Sequence, residues 1–306
     1  MRDAFFTTLA ELGAEDDRVF ALTGDLGIGL FDSFEQAAPG RFLNVGVAEQ
    51  NLVGVAAGLA YAGKVPFAYS IAPFTTSRPY DQIRVDVAMT CANVKLVGVG
   101  GGVAYGYLGP THHAIEDLAL TRALPGMTVL TPGDPHETAR ATRAAMAVNG
   151  PVYLRLGKNG EPNVLPEEPF TIGRARVLRE GADIALVSAG CIVAEALAAA
   201  DTLAGHGVDV TVLHYGTLKP FDAASLVKAV ARTGSVVTVE EHSIIGGLGS
   251  AVGEALGEAG VKARLRRVGL RDEFAHAVGS REYLLSFYGL DAPAIVGAAL
   301  DLLETP

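Results

Sequence analysis

Two cysteines in 306 residues, Cys91 and Cys191, are too few for a disulfide framework or a thiolate metal cluster. A reduced, cytoplasmic setting is the expectation. Tryptophan is absent, and charged residues make up only 19% of the chain. No long basic run occurs and the net charge is −10, from 24 basic and 34 acidic residues, which excludes a nucleic-acid surface. The first residues, Met1-Arg2-Asp3-Ala4-Phe5-Phe6, lack the sustained apolar core of a signal peptide. The longest apolar helix expected, near residues 52–62, is too short and too glycine-rich to span a bilayer, so no membrane partner is expected either.

What is present is hydrophobic. Apolar residues reach 49% and glycines number 37, as close helix-on-sheet packing requires. Short apolar runs alternate with helical stretches: Val19–Leu22, Val65–Ser70, Val94–Val99, Met127–Leu130 and Pro151–Leu156, then Ile184–Ser188, Val208–Leu213, Val236–Glu240 and 263–268. Strands of this kind are buried on both faces, which implies parallel sheets covered by helices. Pro162, Pro166 and Pro169 punctuate a polar stretch between the two series. The expected fold class is α/β, with two tandem doubly wound domains and mostly parallel sheets. The domains cover 1–160 and 173–306, joined by a linker at 161–172.

One stretch stands apart. Asn44-Val45-Gly46-Val47-Ala48-Glu49-Gln50-Asn51 runs into Leu52–Ala60, which is apolar or small at every position. A helix that is hydrophobic all round is a buried helix, and Glu49 sits in its first turn. Burying an unpaired carboxylate costs on the order of several kcal/mol, so such a group finds a partner or stays protonated.

This stretch resembles the pyrimidine-binding half of the thiamine-diphosphate enzymes of the transketolase family. The resemblance continues in order through Pro66–Phe74 with Arg78-Pro79-Tyr80-Asp81-Gln82-Ile83-Arg84, through Gly109-Pro110-Thr111-His112-His113, and through Leu218-Lys219-Pro220-Phe221-Asp222 and Glu240–Ser250. It implies that Glu49 hydrogen-bonds the aminopyrimidine of thiamine diphosphate and so promotes loss of the thiazolium proton. Phe74 matches the aromatic that stacks on the pyrimidine. Ile71 lies where a second aromatic is often found; it can wall the pocket or simply belong to the core. Asp25 matches a cofactor-side acid, with closure of a turn as the competing reading.

His112 corresponds to the histidine that faces the reacting carbon, where imidazole can donate to a developing oxyanion. His113 is read as structural. Arg155 and Arg2 fall where the family places arginines that grip a sugar phosphate, a task suited to a planar fork. An ion pair at a strand end competes for Arg155, and a solvated terminus for Arg2. Three departures put the usual sugar substrates in question: Tyr107-Leu108 in place of an acid, Gly100-Gly101-Gly102 in place of a loop histidine, and Gly29 in place of a serine. A less hydroxylated donor or acceptor, or a carrier-bound acyl group, fits these changes.

Gly24-Asp25-Leu26 with Asn51 imitates a diphosphate–metal motif by spacing but lacks its last glycine. Nothing else in the chain offers hard oxygen ligands in that pattern. The resemblance therefore implies half of a split enzyme. Thiamine diphosphate would be shared with a separate N-terminal diphosphate-binding transketolase subunit that holds Mg2+ or Ca2+, in an α2β2 assembly with a β–β contact. Ketol transfer of a two-carbon unit is the expected activity. The alternatives are a 2-oxoacid dehydrogenase β subunit and a non-catalytic scaffold.

Overall fold

The computed structural model describes residues 1–304. The first half begins with α1 (Arg2–Glu15), β1 (Val19–Thr23), α2 (Asp32–Ala37), β2 (Phe42–Asn44), α3 (Glu49–Tyr61) and β3 (Val65–Ile71). It continues through α4 (Ala72–Thr76), the single turn α5 (Tyr80–Gln82), a π-helical segment Ile83–Ala88, and β4 (Lys95–Val99). A 3-10 turn (Gly106–Leu108) precedes α6 (Asp117–Ala123), β5 (Thr128–Leu130), α7 (Pro135–Ala147) and β6 (Val152–Leu156). The residue spacing over Ser77–Ala92 predicts one helix, but the chain forms a single turn there and then widens into π geometry.

After an irregular stretch come β7 (Arg176–Arg179), β8 (Ile184–Ala189), α8 (Val193–Gly205), β9 (Val210–His214), β10 (Thr217–Lys219) and α9 (Ala223–Thr233). The chain then forms β11 (Ser235–Ser243), α10 (Leu248–Glu258), β12 (Arg264–Leu270), α11 (Arg281–Phe287) and α12 (Ala292–Glu304). Residues 281–304 are apolar and long enough to cross a membrane by composition. They are nonetheless divided into two helices, and Leu284, Leu285, Ile295, Val296, Ala299 and Leu302 pack in the core.

Two sheets carry the fold, in the orders β10-β5-β6-β4-β3-β1-β2 and β12-β11-β8-β9-β7. All neighbours are parallel except the edge strands β10 and β7, which run antiparallel to theirs. β3, β4 and β6 are buried at every position, as strands covered on both faces must be. Their register is continuous, with Tyr69 opposite Val97 and Val97 opposite Leu154. Even Lys95 on β4 is buried; its ammonium donates to Asn93 Oδ1 (2.6 Å) and to the carbonyls of Val148 (2.6 Å) and Gly150 (2.9 Å).

The two halves are stitched together. β10 belongs to the second half by sequence but closes the edge of the first sheet against β5. The α7 carboxylate of Glu137 meets His214 of β9 at 2.7 Å, both fully buried. Glu241 of β11 accepts from Val103 N–H (2.9 Å) and pairs with Arg281 (2.6 Å).

The helix α3 departs from expectation. Leu52, Val53, Ala56 and Ala57 are buried on β-sheet and helix neighbours, but Gln50, Asn51, Gly58 and Tyr61 are exposed. Within a single chain only one face is covered.

Candidate active site

In an open parallel sheet, ligands bind beyond the carboxyl ends of the strands, where the chain leaves the sheet in loops. Here those loops gather the chemistry. Asp25 follows β1, Glu49 follows β2, Phe74 follows β3, and Lys158 follows β6. The loop after β4 brings Tyr105 and His112.

Glu49 opens α3 and is only 3% exposed. It is not an isolated acid. Its Oε2 lies 2.8 Å from Nη1 of Arg78, a side chain that is 45% exposed. The same guanidinium lies 4.0 Å from the centroid of the Phe74 ring. Phe74 is in α4 and Arg78 follows one turn later, so the i, i+4 spacing that stacks helical neighbours places cation over ring. Gly24 brings the β1 loop alongside: a Cβ there would meet Glu49 Cγ at 3.7 Å and the Gly46 carbonyl at 3.4 Å.

His112 packs edge-on against Phe74, its ring centroid 5.1 Å away at 66°. Thr111 Oγ1 is 2.9 Å from His112 Nδ1. Burial first, and then the nearby Arg78 charge, push the His112 pKa below the ordinary histidine value. The imidazole is therefore neutral near pH 7 and can donate or accept. Tyr105 lies 6.4 Å beyond, and the Lys158 ammonium sits 4.7 Å from the Tyr105 centroid. A continuous track thus runs from a buried carboxylate over an aromatic face, past an imidazole, to an ammonium group.

The other residues marked in the sequence are placed as follows. Ile71 is buried at the end of β3, one turn before Phe74. Asp25 is exposed, with a positive φ of 59°, and its Oδ1 accepts from Asn44 Nδ2 at 3.0 Å. Its partner is therefore Asn44 and not Asn51. Arg2, in the first turn of α1, pairs with Asp3 at 3.4 Å and lies near enough to Tyr105 to favour phenol ionisation against the burial that raises its pKa. His113 is buried, and its pKa is lowered chiefly by that burial.

Arg155 does not fit the phosphate-gripping role. It is 6% exposed, and its Nε and Nη2 donate to both oxygens of Asp117 (2.9 and 3.1 Å). Nη2 also donates to the carbonyls of Ala114 (2.8 Å) and Glu241 (2.9 Å). The fork is thus committed to a buried ion pair within the first half, with one further bond, to the Glu241 carbonyl, reaching the second. Conversely, the sequence alone assigns no role to Arg78 or Lys158. The Phe74–Arg78 spacing and the position of Lys158 just past a central parallel strand are the available signals.

The residues present suit an aminopyrimidine: a flat apolar face at Phe74, with a buried carboxylate beside it to take N–H bonds. Among the described residues, no group of three His, Cys, Asp or Glu side chains is placed to hold a metal ion.

Residues 1–162 match the transketolase pyrimidine-binding domain, and residues 173–295 match the transketolase C-terminal domain. The chain is 44% identical to the 6-deoxy-6-sulfo-D-fructose transketolase subunit SqwH of Clostridium sp. strain MSTE9, over 99% of this chain and 94% of that one. It is 38% identical to a subunit of the apulose-4-phosphate transketolase of Phocaeicola vulgatus, over 99% and 97%. Among solved structures, a split-gene transketolase in the form of an inactive β4 tetramer superposes with a TM-score of 0.91 at 42% identity, covering 99% and 97%. The transketolase of Leishmania mexicana shares the fold at a TM-score of 0.80 and 23% identity, with this chain covering 45% of it. Domain matches across both halves, and relatives of the same length and architecture, agree: the chain belongs to the transketolase family, as a split transketolase-like β subunit.

Proposed function

We propose that this subunit works with a separate diphosphate-binding subunit to transfer a two-carbon ketol unit between sugars, using thiamine diphosphate bound where the two chains meet. The observation that carries the reading is the buried Glu49 carboxylate beside the face of Phe74, at the carboxyl ends of β1, β2 and β3. When bound, the cofactor supplies a carbon nucleophile able to hold the ketol fragment between donor and acceptor. Glu49 accepts the pyrimidine N–H or shares a proton with the ring nitrogen, Phe74 stacks on the ring, and Ile71 walls its far edge. Asp25, held by Asn44, borders the same loop.

His112, neutral and 5.1 Å from Phe74, is placed to hold or donate a proton where a carbonyl oxygen gains charge. Lys158 and Arg2, both near Tyr105, are cations that could meet an anionic substrate end. That assignment suits the substrates in the relatives' names, a sulfonated sugar and a sugar phosphate. Their description as transketolases favours ketol transfer over acyl transfer to a lipoyl arm.

The cofactor diphosphate and its Mg2+ or Ca2+ fall to the partner in this reading. Two features support a covering partner. The loops that carry the site also expose large apolar side chains, with Ile28 97%, Val47 72% and Tyr107 72% accessible. The open face of α3, with Gly54, Gly58 and Tyr61, suits a second copy in a β–β contact, and the solved β4 relative is a precedent for self-association. The test is titration calorimetry with thiamine diphosphate and Mg2+, with and without the N-terminal subunit, alongside ketol-transfer assays. Tight binding and activity only in the mixture are expected. Tight cofactor binding by the lone chain would refute the division of labour.

A further inference from the structure

Arg78 makes two contacts that a single group rarely makes together. Its guanidinium reaches the buried carboxylate of Glu49 at 2.8 Å and lies 4.0 Å from the centroid of Phe74. A guanidinium is planar, apolar on its faces, and rich in N–H donors along its edge. An aminopyrimidine has the same outline: a flat face to stack and edge N–H groups to donate. The partners are the same two side chains in each case, so the two groups compete for one volume.

We propose that Arg78 is a placeholder for the pyrimidine ring, holding the site in the free subunit and leaving it when the heterocycle enters. The proposal rests on the reading of Glu49 and Phe74 as the pyrimidine pocket. Glu49 explains the need. A carboxylate 3% exposed has no solvent to satisfy it, and a subunit awaiting cofactor must keep it paired or lose stability. Arg78 is suited to a temporary role because 45% of its side chain faces solvent, leaving an outward path open. It stands beyond the end of α4, after the cap Ser77 and before Pro79, so its side chain can swing without unwinding a long element. Cofactor binding then exchanges one ion pair for another set of contacts on the same acid, and lowers the apparent affinity by the cost of the exchange.

The full-length chain can be titrated with the free ring, 4-amino-5-hydroxymethyl-2-methylpyrimidine, by calorimetry and by NMR of 15N-arginine side chains. In the wild type the Arg78 Nε–H signal is expected to move to a solvent-exposed position as the ring binds. Arg78→Ala and Arg78→Met, each checked for folding by circular dichroism, are expected to bind the ring roughly five- to tenfold more tightly, since the competing pair is worth about one factor of ten or less. Glu49→Gln and Phe74→Ala should lose binding. Equal or weaker binding in both Arg78 variants, while Glu49→Gln and Phe74→Ala still lose it, overturns the placeholder and makes Arg78 a ligand contact. Undiminished binding in Glu49→Gln and Phe74→Ala, or no binding by any form, overturns the pocket assignment itself.

Discussion

Replacing Asp117 should unfold the chain far more readily than its position at the start of a seven-residue helix suggests. Asp117 is 1% exposed and takes three hydrogen bonds: two from Arg155 at 2.9 and 3.1 Å, and one from the Tyr153 hydroxyl at 2.6 Å. In Asp117→Ala the Arg155 guanidinium stays buried with only the Ala114 and Glu241 carbonyls to hold its charge. Removing one partner of a buried pair costs about 3–5 kcal/mol, and the stranded tyrosine hydroxyl adds about 1 kcal/mol. With a urea slope of about 2–3 kcal/mol/M, the midpoint should fall by roughly 1.3–3 M.

Arg155→Met should cost less, about 2–4 kcal/mol, because Asp117 keeps the tyrosine bond and the positive end of α6. The double variant Asp117→Leu/Arg155→Met should lie near the wild type, since a well-packed apolar pair can replace a buried ion pair at little cost. The assay is urea unfolding followed by far-UV circular dichroism, together with KM for an anionic substrate in the reconstituted enzyme. An unchanged midpoint with a raised KM in Arg155→Met would refute the structural role and restore the phosphate-gripping one.

Glu49→Ala or Glu49→Gln should reduce turnover of the reconstituted enzyme at least about a hundredfold with assembly intact; steady-state rates near wild type would end the proposed role. Gly102 has a φ of +67°, and a Cβ there would lie 2.3 Å from Glu241 Cγ and 2.7 Å from the Glu241 carbonyl. Gly102→Ala should therefore strain the contact between the halves by about 2–4 kcal/mol and lower the melting temperature by several degrees. Glu240 and His242 make a pH experiment. Burial lifts Glu240 to about 7 and drops His242 to about 4, from 4.5 and 6.5. The folded state holds the extra Glu240 proton between about pH 4.5 and 7, so that group's stabilisation is lost as pH rises through this window. His242 holds fewer protons when folded between about 4 and 6.5, so its contribution is lost as pH falls. Each effect is about 3 kcal/mol, and in the wild type they offset. Glu240→Gln should expose a stability that rises with pH, and His242→Asn one that falls; flat profiles in both would contradict the shifts.

The sheets are legible in the sequence because each central strand is a short, wholly apolar run, and the α/β alternation allows few arrangements. The misses have physical causes. β10 is three residues long, and its place against β5 follows from how the second half docks, which no local pattern encodes. Residues 77–92 carry the periodicity of one helix, yet the chain turns at Pro79 and widens into π geometry after Gln82. Arg155 shows the limit of reading charge from type: an arginine on a central strand is buried from both sides, and only the fold supplies Asp117 from 38 residues away to neutralise it. The apolar pattern of α3 reads as burial on all sides, but a pattern records only that water is excluded. It does not distinguish the interior of one chain from a surface meant for another.

That ambiguity bears on the site itself. The sequence marks Glu49 as an acid in apolar surroundings, while its partner lies 29 residues on and reaches it only because α4 turns Phe74 and Arg78 toward the same point. In one chain, then, the pocket is already complete as an ion pair and needs no ligand to be stable. The open side is elsewhere, along the exposed face of α3 and the apolar loops at Ile28, Val47 and Tyr107. In the function proposed above, a second chain would supply the surface that closes the pocket and the groups for the diphosphate. The 2.8 Å contact between Arg78 and Glu49 keeps that buried acid satisfied within the single chain.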